Sequence, residues 1–391
     1  MISFDEELNL RLEALREQGL RRELRRVDSA QGSRIKMGGK TFLNFSSNDY
    51  LGLTNHPALK ETAIKAIEKF GAGAGASRLI CGSLAPFHEL EETLAAFKKT
   101  EAALTFSSGY ATAIGTICTL LGKDDIIIID KLVHACIVDA ARLSGAKLRV
   151  FSHNDLNDLE EILKWANKSQ IANRKSQILV VTESIFSMDG DAASLREIVA
   201  LKEKYGAWLM VDEAHATGLY GRNRRGLAEE LGVSDRIEIQ MGTLGKALAA
   251  SGGYICGSRA LVDFLVNRAR SFIFSTAPVP AAAAAAKAAV QFVQSKSGEV
   301  RRDLLWQHVK QFNSKFKSAI IPIVISDENK AVEAAAKLHA QNIFIPAIRY
   351  PTVARGQARL RVTLTAAHTT EDVSRLIRAL KTLDTGLWTD E

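Results

Sequence analysis

Residues 177–214 read QILVVTESIFSMDGDAASLREIVALKEKYGAWLMVDEA and contain two apolar segments separated by an amphipathic one. The two apolar segments, 177–184 and 208–214, are apolar over consecutive residues, which is typical of strands buried on both faces. Between them, SLREIVALKEKYG (194–206) has apolar residues at helical spacing, so it predicts an amphipathic helix. The stretch therefore predicts two parallel strands joined by a helix.

The same alternation extends in both directions, over about residues 57–275. Further strands are predicted at 103–108, 124–130, 147–151, 237–243 and 252–257, and a further helix at 157–168. Strands that alternate with helices indicate a mostly parallel central sheet with helices on both faces, which is an α/β fold.

The pattern changes at the two ends of the chain. Residues 5–26 look helical and predict an N-terminal helical arm. After Pro280, an alanine-rich helix is followed by predicted strands and helices at 318–326, 330–341, 342–351, 359–367 and from Thr370 onward. These elements predict a smaller C-terminal α+β domain. The predicted division is an arm at 1–42, a large domain at 43–279 and a small domain at 280–391.

Composition and charge disfavour several classes of protein. The chain has 391 residues, 47% of them apolar, and a net charge of +7. Glutamates lie among the arginines near residues 19–27, and no aromatic residues alternate with them, so a nucleic-acid surface is not indicated. A binding pocket with a basic entrance, which receives an anionic small molecule, explains the charge equally well. The longest apolar runs are interrupted by proline or lysine, so no membrane span is predicted.

The cysteines and the N-terminus indicate a reduced, cytoplasmic protein. Cys81, Cys118, Cys136 and Cys256 lie far apart and form no CxxC pair, so neither a metal site nor a disulfide framework is predicted. The N-terminal segment is acidic and amphipathic, whereas a secretory signal is basic and then apolar.

Three glycine-rich segments resemble phosphate-binding loops but lack the required residues or the required context. A P-loop needs G-x-x-x-x-G-K-[ST], and GGKT at 38–41 has Arg34 where the first glycine belongs. GTLGK at 242–246 has Gln240 at that position. GAGAGAS at 71–77 follows a helical stretch instead of a strand, which is the wrong context for a dinucleotide fingerprint. Nucleotide hydrolysis is therefore disfavoured.

Distinctive side chains follow three predicted strands, at the edge where open α/β sheets place their sites. SSG at 107–109 opens a helix and suits an anion. Asp212 ends another strand, with His215 three residues later. Lys246 lies among small uncharged residues, with Thr243 before it, so burial is expected to lower its pKa and make its amine nucleophilic. Pyridoxal 5′-phosphate (PLP) requires such a lysine, an acid at the ring nitrogen and a phosphate cup.

Several longer motifs carry a family resemblance over nearly the whole chain. They are NFSSNDYLGL (44–53), GAGASR (73–78), SSGYATAIG (107–115), ESIFSMDGD (183–191), VDEAHATGLYG (211–221), TLGKALAASGGY (243–254), FSTAPVP (274–280) and RYPTVARGQARLRVTLTAAHT (349–369). The chain resembles the α-oxoamine synthases, a branch of the fold type I, aspartate-aminotransferase-like enzymes that use PLP. The resemblance implies a fold type I transferase and a homodimer with shared active sites.

The resemblance also implies roles around the cofactor ring. Lys246 would hold PLP covalently and act as the general acid and base at Cα. Asp212 would pair with the ring nitrogen, and His215 would bond to the ring oxygen. His134, in DKLVHACIVDAA, matches the histidine that stacks on the ring, and Ser187 matches a residue near the ring oxygen.

For the phosphate, the resemblance implies two sources of hydrogen bonds. The main-chain amides of Gly109 and Tyr110 and the hydroxyl of Thr243 would bind it within one subunit. Thr276, in FSTAP, matches a residue that reaches the phosphate of the neighbouring subunit.

For the substrates, the resemblance implies a decarboxylative condensation of an amino acid with an acyl thioester. Arg361 aligns with the arginine that binds the amino-acid carboxylate, although a strand residue of this kind can also simply face solvent. Arg349 and Asn48 match further substrate contacts, and Arg21 is a candidate for the acyl carboxylate. The motifs most resemble members that use L-alanine and a pimeloyl thioester of coenzyme A or a carrier protein. Members that use glycine and acetyl-CoA are the alternative.

Overall fold

The computed structural model describes residues 2–168 and 176–383. The described residues form two compact units. The first unit comprises residues of 1–50, 188–190 and 304–391, and the second comprises residues of 51–187 and 191–303.

These units differ from the predicted domains in their boundaries. Residues 280–303, which the predicted small domain includes, belong to the second unit. The predicted arm at 1–42 is part of the first unit. The predicted outer limits, residues 1 and 391, lie outside the described residues.

Strands and helices alternate along much of the described chain. The strands are β1 (Arg34–Met37), β2 (Lys40–Asn44), β3 (Ala102–Phe106), β4 (Ile126–Asp130), β5 (Lys147–Phe151), β6 (Ile178–Glu183), β7 (Trp208–Asp212), β8 (Ile239–Thr243), β9 (Gly253–Gly257), β10 (Ile320–Ser326), β11 (Ile343–Phe344), β12 (Ala347–Ile348) and β13 (Ala358–Thr363). The helices are α1 (Phe4–Glu17), α2 (Pro57–Phe70), α3 (Ala85–Lys98), α4 (Gly109–Leu120), α5 (Ala135–Ser144), α6 (Leu156–Lys168), α7 (Leu195–Lys204), α8 (Leu227–Glu230), α9 (Arg259–Arg268), α10 (Arg270–Ile273), α11 (Pro280–Gln294), α12 (Lys296–Phe312), α13 (Glu328–Ala340) and α14 (Thr370–Lys381).

The central sheet of the second unit follows the alternation that the sequence predicts. Within the described residues its strand order is β3-β9-β8-β7-β6-β4-β5. Strands β8, β7, β6, β4 and β5 run parallel, whereas β9 is antiparallel to both β3 and β8. Every residue of β3, β4 and β6 is buried, which explains their uninterrupted apolar sequences. The prediction of a mostly parallel sheet is confirmed.

Helices flank this sheet and pack on one another. α4 contacts α5, and α11 contacts α2 and α3. Over residues 2–168 and 176–383, none of the helices is both long and apolar enough to cross a membrane.

Helix α1 is shorter than the sequence predicts. The helical pattern covers residues 5–26, but α1 ends at Glu17. Gly19 follows with a φ of +65°, and its amide donates to the carbonyl of Arg16 at 2.9 Å. A glycine with positive φ just beyond the last turn is a common helix stop. The predicted helix beyond Glu17 is therefore wrong.

A second helix follows the alanine-rich one and is not predicted. The sequence predicts one helix between Pro280 and the strand near 318, but α11 ends at Gln294 and α12 begins at Lys296. Ser295 is extended between them, and its Oγ accepts a hydrogen bond from the amide of Gly298 at 3.2 Å. Serine is favoured at such a position because its hydroxyl satisfies an amide at the helix start.

Within the described residues, the first unit contains two small sheets, with strand orders β1-β2-β11 and β10-β13-β12. In the second of these, β13 is antiparallel to both of its neighbours. All residues of β13 are buried. The predicted strands and helices after residue 318 are therefore present, although 342–351 forms two very short strands instead of one.

Candidate active site

Three strand ends meet at one edge of the central sheet. β6, β7 and β8 are adjacent and parallel, and they end at Glu183, Asp212 and Thr243. Asp212 is 5% exposed, and its Oδ1 accepts a hydrogen bond from the amide of Ala214 at 2.9 Å. Burial raises the pKa of Asp212 above its ordinary value, although the charge of Lys246 acts in the opposite direction. A buried acid with a cation beside it thus lies where the sequence predicts one.

Lys246 lies against His215. Its Nζ is 2.7 Å from Nε2 of the buried His215. The loop after β8 folds back at Ala249, which has a φ of +50° and whose amide donates to the carbonyl of Lys246 at 2.9 Å. The lysine that is isolated in the sequence is therefore held beside an imidazole that can exchange a proton with it.

His134 is the N-cap of helix α5. Its Nδ1 accepts a hydrogen bond from the amide of Cys136 at 3.2 Å, so the proton of the neutral ring lies on Nε2. Burial and the charge of Lys246 lower the pKa of His134. The ring is therefore neutral at neutral pH and offers a flat face close to the lysine.

The start of helix α4 forms an anion seat beside Thr243. α4 begins at Gly109, and the side chain of Ser108 caps it. A Cβ added to Gly109 would lie 3.9 Å from Cβ of Thr243, and one added to Gly253 would lie 2.8 Å from Cα of Gly109. Residue 253 must therefore be glycine to allow this approach. Exposed amides at a helix start, next to a hydroxyl, suit a phosphate group.

Tyr110 and Thr276 have partners that the sequence does not reveal. The hydroxyl of Tyr110 donates to Oδ2 of Asp139 at 2.7 Å, and this hydrogen bond raises the pKa of Tyr110. Thr276 forms an isolated antiparallel bridge with Ser77 and lines a small cavity together with Ser107. Its role toward a neighbouring subunit stays a prediction.

Ser187 lies in a hairpin that follows β6. Ile185 and Ala192 form an antiparallel bridge, and the amide of Phe186 donates to the carbonyl of Asp191 at 3.0 Å. Ser187 is buried in this turn. The hairpin keeps it near the end of β6, at the same edge of the sheet.

A histidine with two carboxylates also lies at this edge, and the sequence patterns do not predict it. Nδ1 of His153 is 3.0 Å from Oδ1 of Asp130, and its Nε2 is 2.7 Å from Oδ2 of Asp191. Burial lowers the pKa of His153, but the hydrogen bonds to the two carboxylates outweigh this and raise it to about 10. Asp130 ends β4 and His153 follows the end of β5 by two residues, so their positions at strand ends are a usable signal, whereas Asp191 has no such signal.

This cluster predicts a pH-dependent contribution to stability. The folded-state pKa of His153 lies above its ordinary value, so its stabilisation is fully present below about pH 6.5 and is lost as the pH rises through about 10. We expect the stability difference between the wild type and His153→Gln to shrink over that range. Urea unfolding at about pH 6, 8 and 10.5 measures it, with the exposed His88→Gln as control. A difference that is constant with pH would contradict the prediction.

In the first unit, two of the predicted substrate residues are in contact. Nη1 of Arg361 donates to Oδ1 of Asn48 at 3.1 Å and to Oγ1 of Thr363 at 2.9 Å. Arg361 is 7% exposed, so the alternative of a solvent-facing strand residue is wrong. These hydrogen bonds go to neutral oxygens, so they do not cancel the charge of the guanidinium.

The other two predicted substrate residues, Arg21 and Arg349, line a cavity of about 840 Å³ in the same unit. Arg349 donates to the carbonyl of Gly19. Burial lowers the pKa of Arg349, and the charge of Arg22 lowers it further. The apolar lining of the cavity includes Val332, Ala335, Phe344, Ile345 and Pro346.

Comparison with known proteins identifies the family. The profile of aminotransferase class I and II matches residues 40–380. The chain belongs to this family. Two curated relatives are 8-amino-7-oxononanoate synthases. The one from Geotalea daltonii is 46% identical over 390 residues, covering 97% of this chain and 97% of the relative. The one from Thermoanaerobacter pseudethanolicus is 43% identical over 381 residues, covering 95% of each.

A solved structure with a similar fold is a variant of serine palmitoyltransferase from S. paucimobilis with a bound PLP–myriocin aldimine. Its TM-score is 0.89, its sequence identity is 26%, and the match covers 98% of each chain. The predicted fold type I architecture is therefore confirmed for this aminotransferase-family chain.

The residues of the second unit fit the cofactor of this aminotransferase fold. The helix start at Gly109, with Thr243 and the required glycine at 253, can seat a phosphate. Asp212 supplies a buried acid, and Lys246 supplies an amine close enough to influence the pKa of that acid. Within residues 2–168 and 176–383, no group of three or more His, Cys, Asp or Glu is arranged to hold a metal ion.

Proposed function

We propose that the chain is an 8-amino-7-oxononanoate synthase that uses PLP. Such an enzyme condenses L-alanine with a pimeloyl thioester of coenzyme A or a carrier protein. It yields 8-amino-7-oxononanoate, the free thiol and carbon dioxide, in biotin biosynthesis. The contact of Lys246 with His215 beside Asp212 carries this proposal. Identities of 46% to a synthase and 26% to a serine palmitoyltransferase support this choice within the family.

PLP would occupy the edge formed by β6, β7 and β8. When bound, it supplies an electron sink for the electron pair that forms at Cα of the amino acid. Lys246 would hold it covalently, and Asp212 would face the ring nitrogen. His215 and Ser187 would lie at the ring oxygen and His134 on the ring face. The phosphate would be bound by Gly109, Tyr110 and Thr243 and, from the neighbouring subunit, by Thr276.

The chain itself supplies the proton transfers. The amine of Lys246 can remove the α-proton of L-alanine and later return a proton to the same carbon. His215, at 2.7 Å, can exchange a proton with that amine and orient it. The buried position of Asp212 keeps water away from its carboxylate and strengthens its attraction for a cationic ring nitrogen.

Arg361 is proposed to bind the carboxylate of L-alanine through its planar fork. In Arg361→Lys the charge remains but the two parallel hydrogen bonds do not, so we expect KM for L-alanine to rise about 10- to 100-fold. Steady-state kinetics with varied L-alanine measure this. Arg378→Lys, at an exposed surface pair with Glu371, is the control. An unchanged KM would remove Arg361 from the substrate site.

The arginine-lined cavity of the first unit is proposed to receive the acyl end of the thioester. Its apolar lining suits a methylene chain, and its arginines suit a terminal carboxylate. Arg21 is only loosely paired, at 3.7 Å from Glu23 and 4.0 Å from Glu13. It can therefore exchange these partners for a substrate carboxylate.

We also propose that two copies associate. Helix α1 buries none of its residues within one chain, and its Phe4 is 78% exposed. In the second unit, Ile80 and Phe274 are also exposed. Large exposed apolar side chains mark interaction surfaces. Phe274 is two residues from Thr276, so the same segment would bring Thr276 to the partner.

One experiment tests the proposed reaction. The PLP-loaded protein is mixed with L-alanine, glycine or L-serine, each with pimeloyl-CoA or acetyl-CoA, and thiol release and product mass are measured. Turnover with L-alanine and pimeloyl-CoA is expected. Turnover confined to glycine with acetyl-CoA would assign the chain to another reaction of the family.

A further inference from the structure

Glu183 is a second buried carboxyl beside Asp212. The two residues end the adjacent parallel strands β6 and β7, and they are partners in the register. Side chains of such partners point to the same face, and neighbouring strands lie about 5 Å apart. Glu183 is 2% exposed. Two carboxyl groups therefore lie side by side with almost no access to bulk water.

One oxygen of Glu183 lacks a hydrogen bond. Oε1 is closed off from solvent and has no partner within the described part of the chain. A buried charged oxygen without a partner is costly. A proton on the carboxyl removes that charge, and so lowers the cost.

Groups from several elements face this carboxyl. Burial raises the pKa of Glu183, and the negative charge of Asp212, on β7, raises it further. The positive charge of Lys246, after β8, lowers it. Hydrogen bonding from the main chain of His134, at the start of α5, and of Ser187, in the hairpin after β6, also lowers it. The balance raises the pKa of Glu183 to about 8.

The pair therefore carries one negative charge at neutral pH. Two adjacent carboxylates repel each other in a buried site, so one of them keeps its proton. Cys136, which faces the pair from α5, adds no charge, because burial and then the two carboxylates raise its pKa to about 12. A cationic ring nitrogen beside Asp212 would draw the charge to Asp212 and leave the proton on Glu183.

We propose that Glu183 is a positioning residue: it keeps its proton at neutral pH, so that the single negative charge stays on Asp212, and it braces the main chain at His134 and Ser187. The proposal rests on the proposed function, in which Asp212, His134 and Ser187 surround PLP. A charged Glu183 would place a second negative charge near Lys246 and favour the protonated amine, which is not nucleophilic.

The protonation state can be measured directly by infrared spectroscopy. Glu183→Gln keeps the size and neutrality of a protonated glutamate. The difference spectrum between the wild type and this variant at neutral pH should contain the C=O band of a protonated carboxylic acid. The band should vanish as the pH rises through about 8. Glu203→Gln, which alters a surface carboxylate paired with Arg236, is the control and should lack this band.

The affinity for PLP, measured by titration, gives a second readout. At neutral pH we expect Glu183→Gln to bind PLP within about threefold of the wild type. We expect Glu183→Ala, which no longer braces the neighbouring loops, to bind roughly 10- to 100-fold more weakly. Between about pH 7 and 9, the affinity should depend on pH differently in the wild type and in Glu183→Gln, because only the wild type has a titrating carboxyl at this position.

Three outcomes would overturn the proposal. The first is a difference spectrum that contains only carboxylate bands at neutral pH. The second is a Glu183→Gln variant that binds PLP as weakly as Glu183→Ala. The third is an equal loss of thermal stability in both variants without any change in the pH dependence of PLP affinity, which would indicate a purely structural role. Should the protein bind no PLP, the proposed function fails, while the infrared spectra still decide the state of Glu183.

Discussion

Lys246→Ala will lower kcat on the order of 10⁴-fold, because it removes both the covalent anchor of PLP and the amine that moves the α-proton. The amine lies 2.7 Å from Nε2 of His215, at the edge of the sheet where Asp212 ends β7. The overall fold should be unaffected, since Lys246 is only partly buried and lies in the loop after β8.

Two measurements separate this loss from a loss of folding or of cofactor. After borohydride reduction and proteolysis, mass spectrometry of the wild type should find PLP attached to the peptide that contains Lys246. No peptide of Lys246→Ala should carry it. Thermal unfolding of the variant without PLP should match that of the wild type without PLP. Lys147→Ala, at an exposed position of β5 in the same sheet, is the control and should keep full activity. A label on a different lysine, or activity within tenfold of the wild type, would refute the assignment.

The sequence was informative about the sheet and its edge for one physical reason. Parallel strands covered by helices on both faces must be apolar throughout, so IIII in β4 and ILVV in β6 are visible in the sequence. A polar residue that ends such a run, as Asp212 does, is conspicuous. Because function concentrates at these strand ends, Asp212 and Lys246 could be picked out before any geometry was known.

The direction of β9 could not be predicted in the same way. All residues of GYICG are buried, and a strand buried on both faces has the same apolar pattern whether it runs parallel or antiparallel. Its direction is fixed by contacts across the sheet, such as Thr243 with Gly253 and Phe106 with Gly253. Phe106 and Gly253 are distant in the sequence, whereas the loop 244–252 that joins Thr243 to Gly253 is too short for the crossover that a parallel pair needs.

Long-range side-chain pairs were hidden for a similar reason. His153 meets Asp130 and Asp191, which lie 23 and 38 residues away in the sequence. Neither spacing follows a helix or strand period, so no pattern links these residues. Glu183 also ends an apolar strand, but its role depends on its position beside Asp212 in the sheet register, which no sequence pattern shows.

A buried ion pair lies next to the site in the second unit. Nζ of Lys98, at the end of α3, donates to Oε2 of Glu213 and to the carbonyl of Arg225, both at 2.5 Å. The side chains of Lys98 and Glu213 are 0% and 1% exposed. Oε1 of Glu213 accepts a hydrogen bond from the amide of Ala228 at 2.9 Å. The pair thus connects the end of α3 and the loop at Arg225 to Glu213, the residue after Asp212.

Lys98→Met should therefore lower the free energy of unfolding by about 3–5 kcal/mol, because it leaves the charge of Glu213 buried without a counter-ion. Adding Glu213→Gln to Lys98→Met should recover part of this loss, since glutamine is neutral and can still accept from Ala228. Denaturant unfolding of the wild type, both single variants and the double variant gives the coupling energy. Lys337→Met, which breaks an exposed pair with Glu333 on α13, should change stability by less than about 1 kcal/mol. A Lys98→Met variant as stable as Lys337→Met would show that Glu213 is solvated or protonated, and the pair would then have no anchoring role beside Asp212.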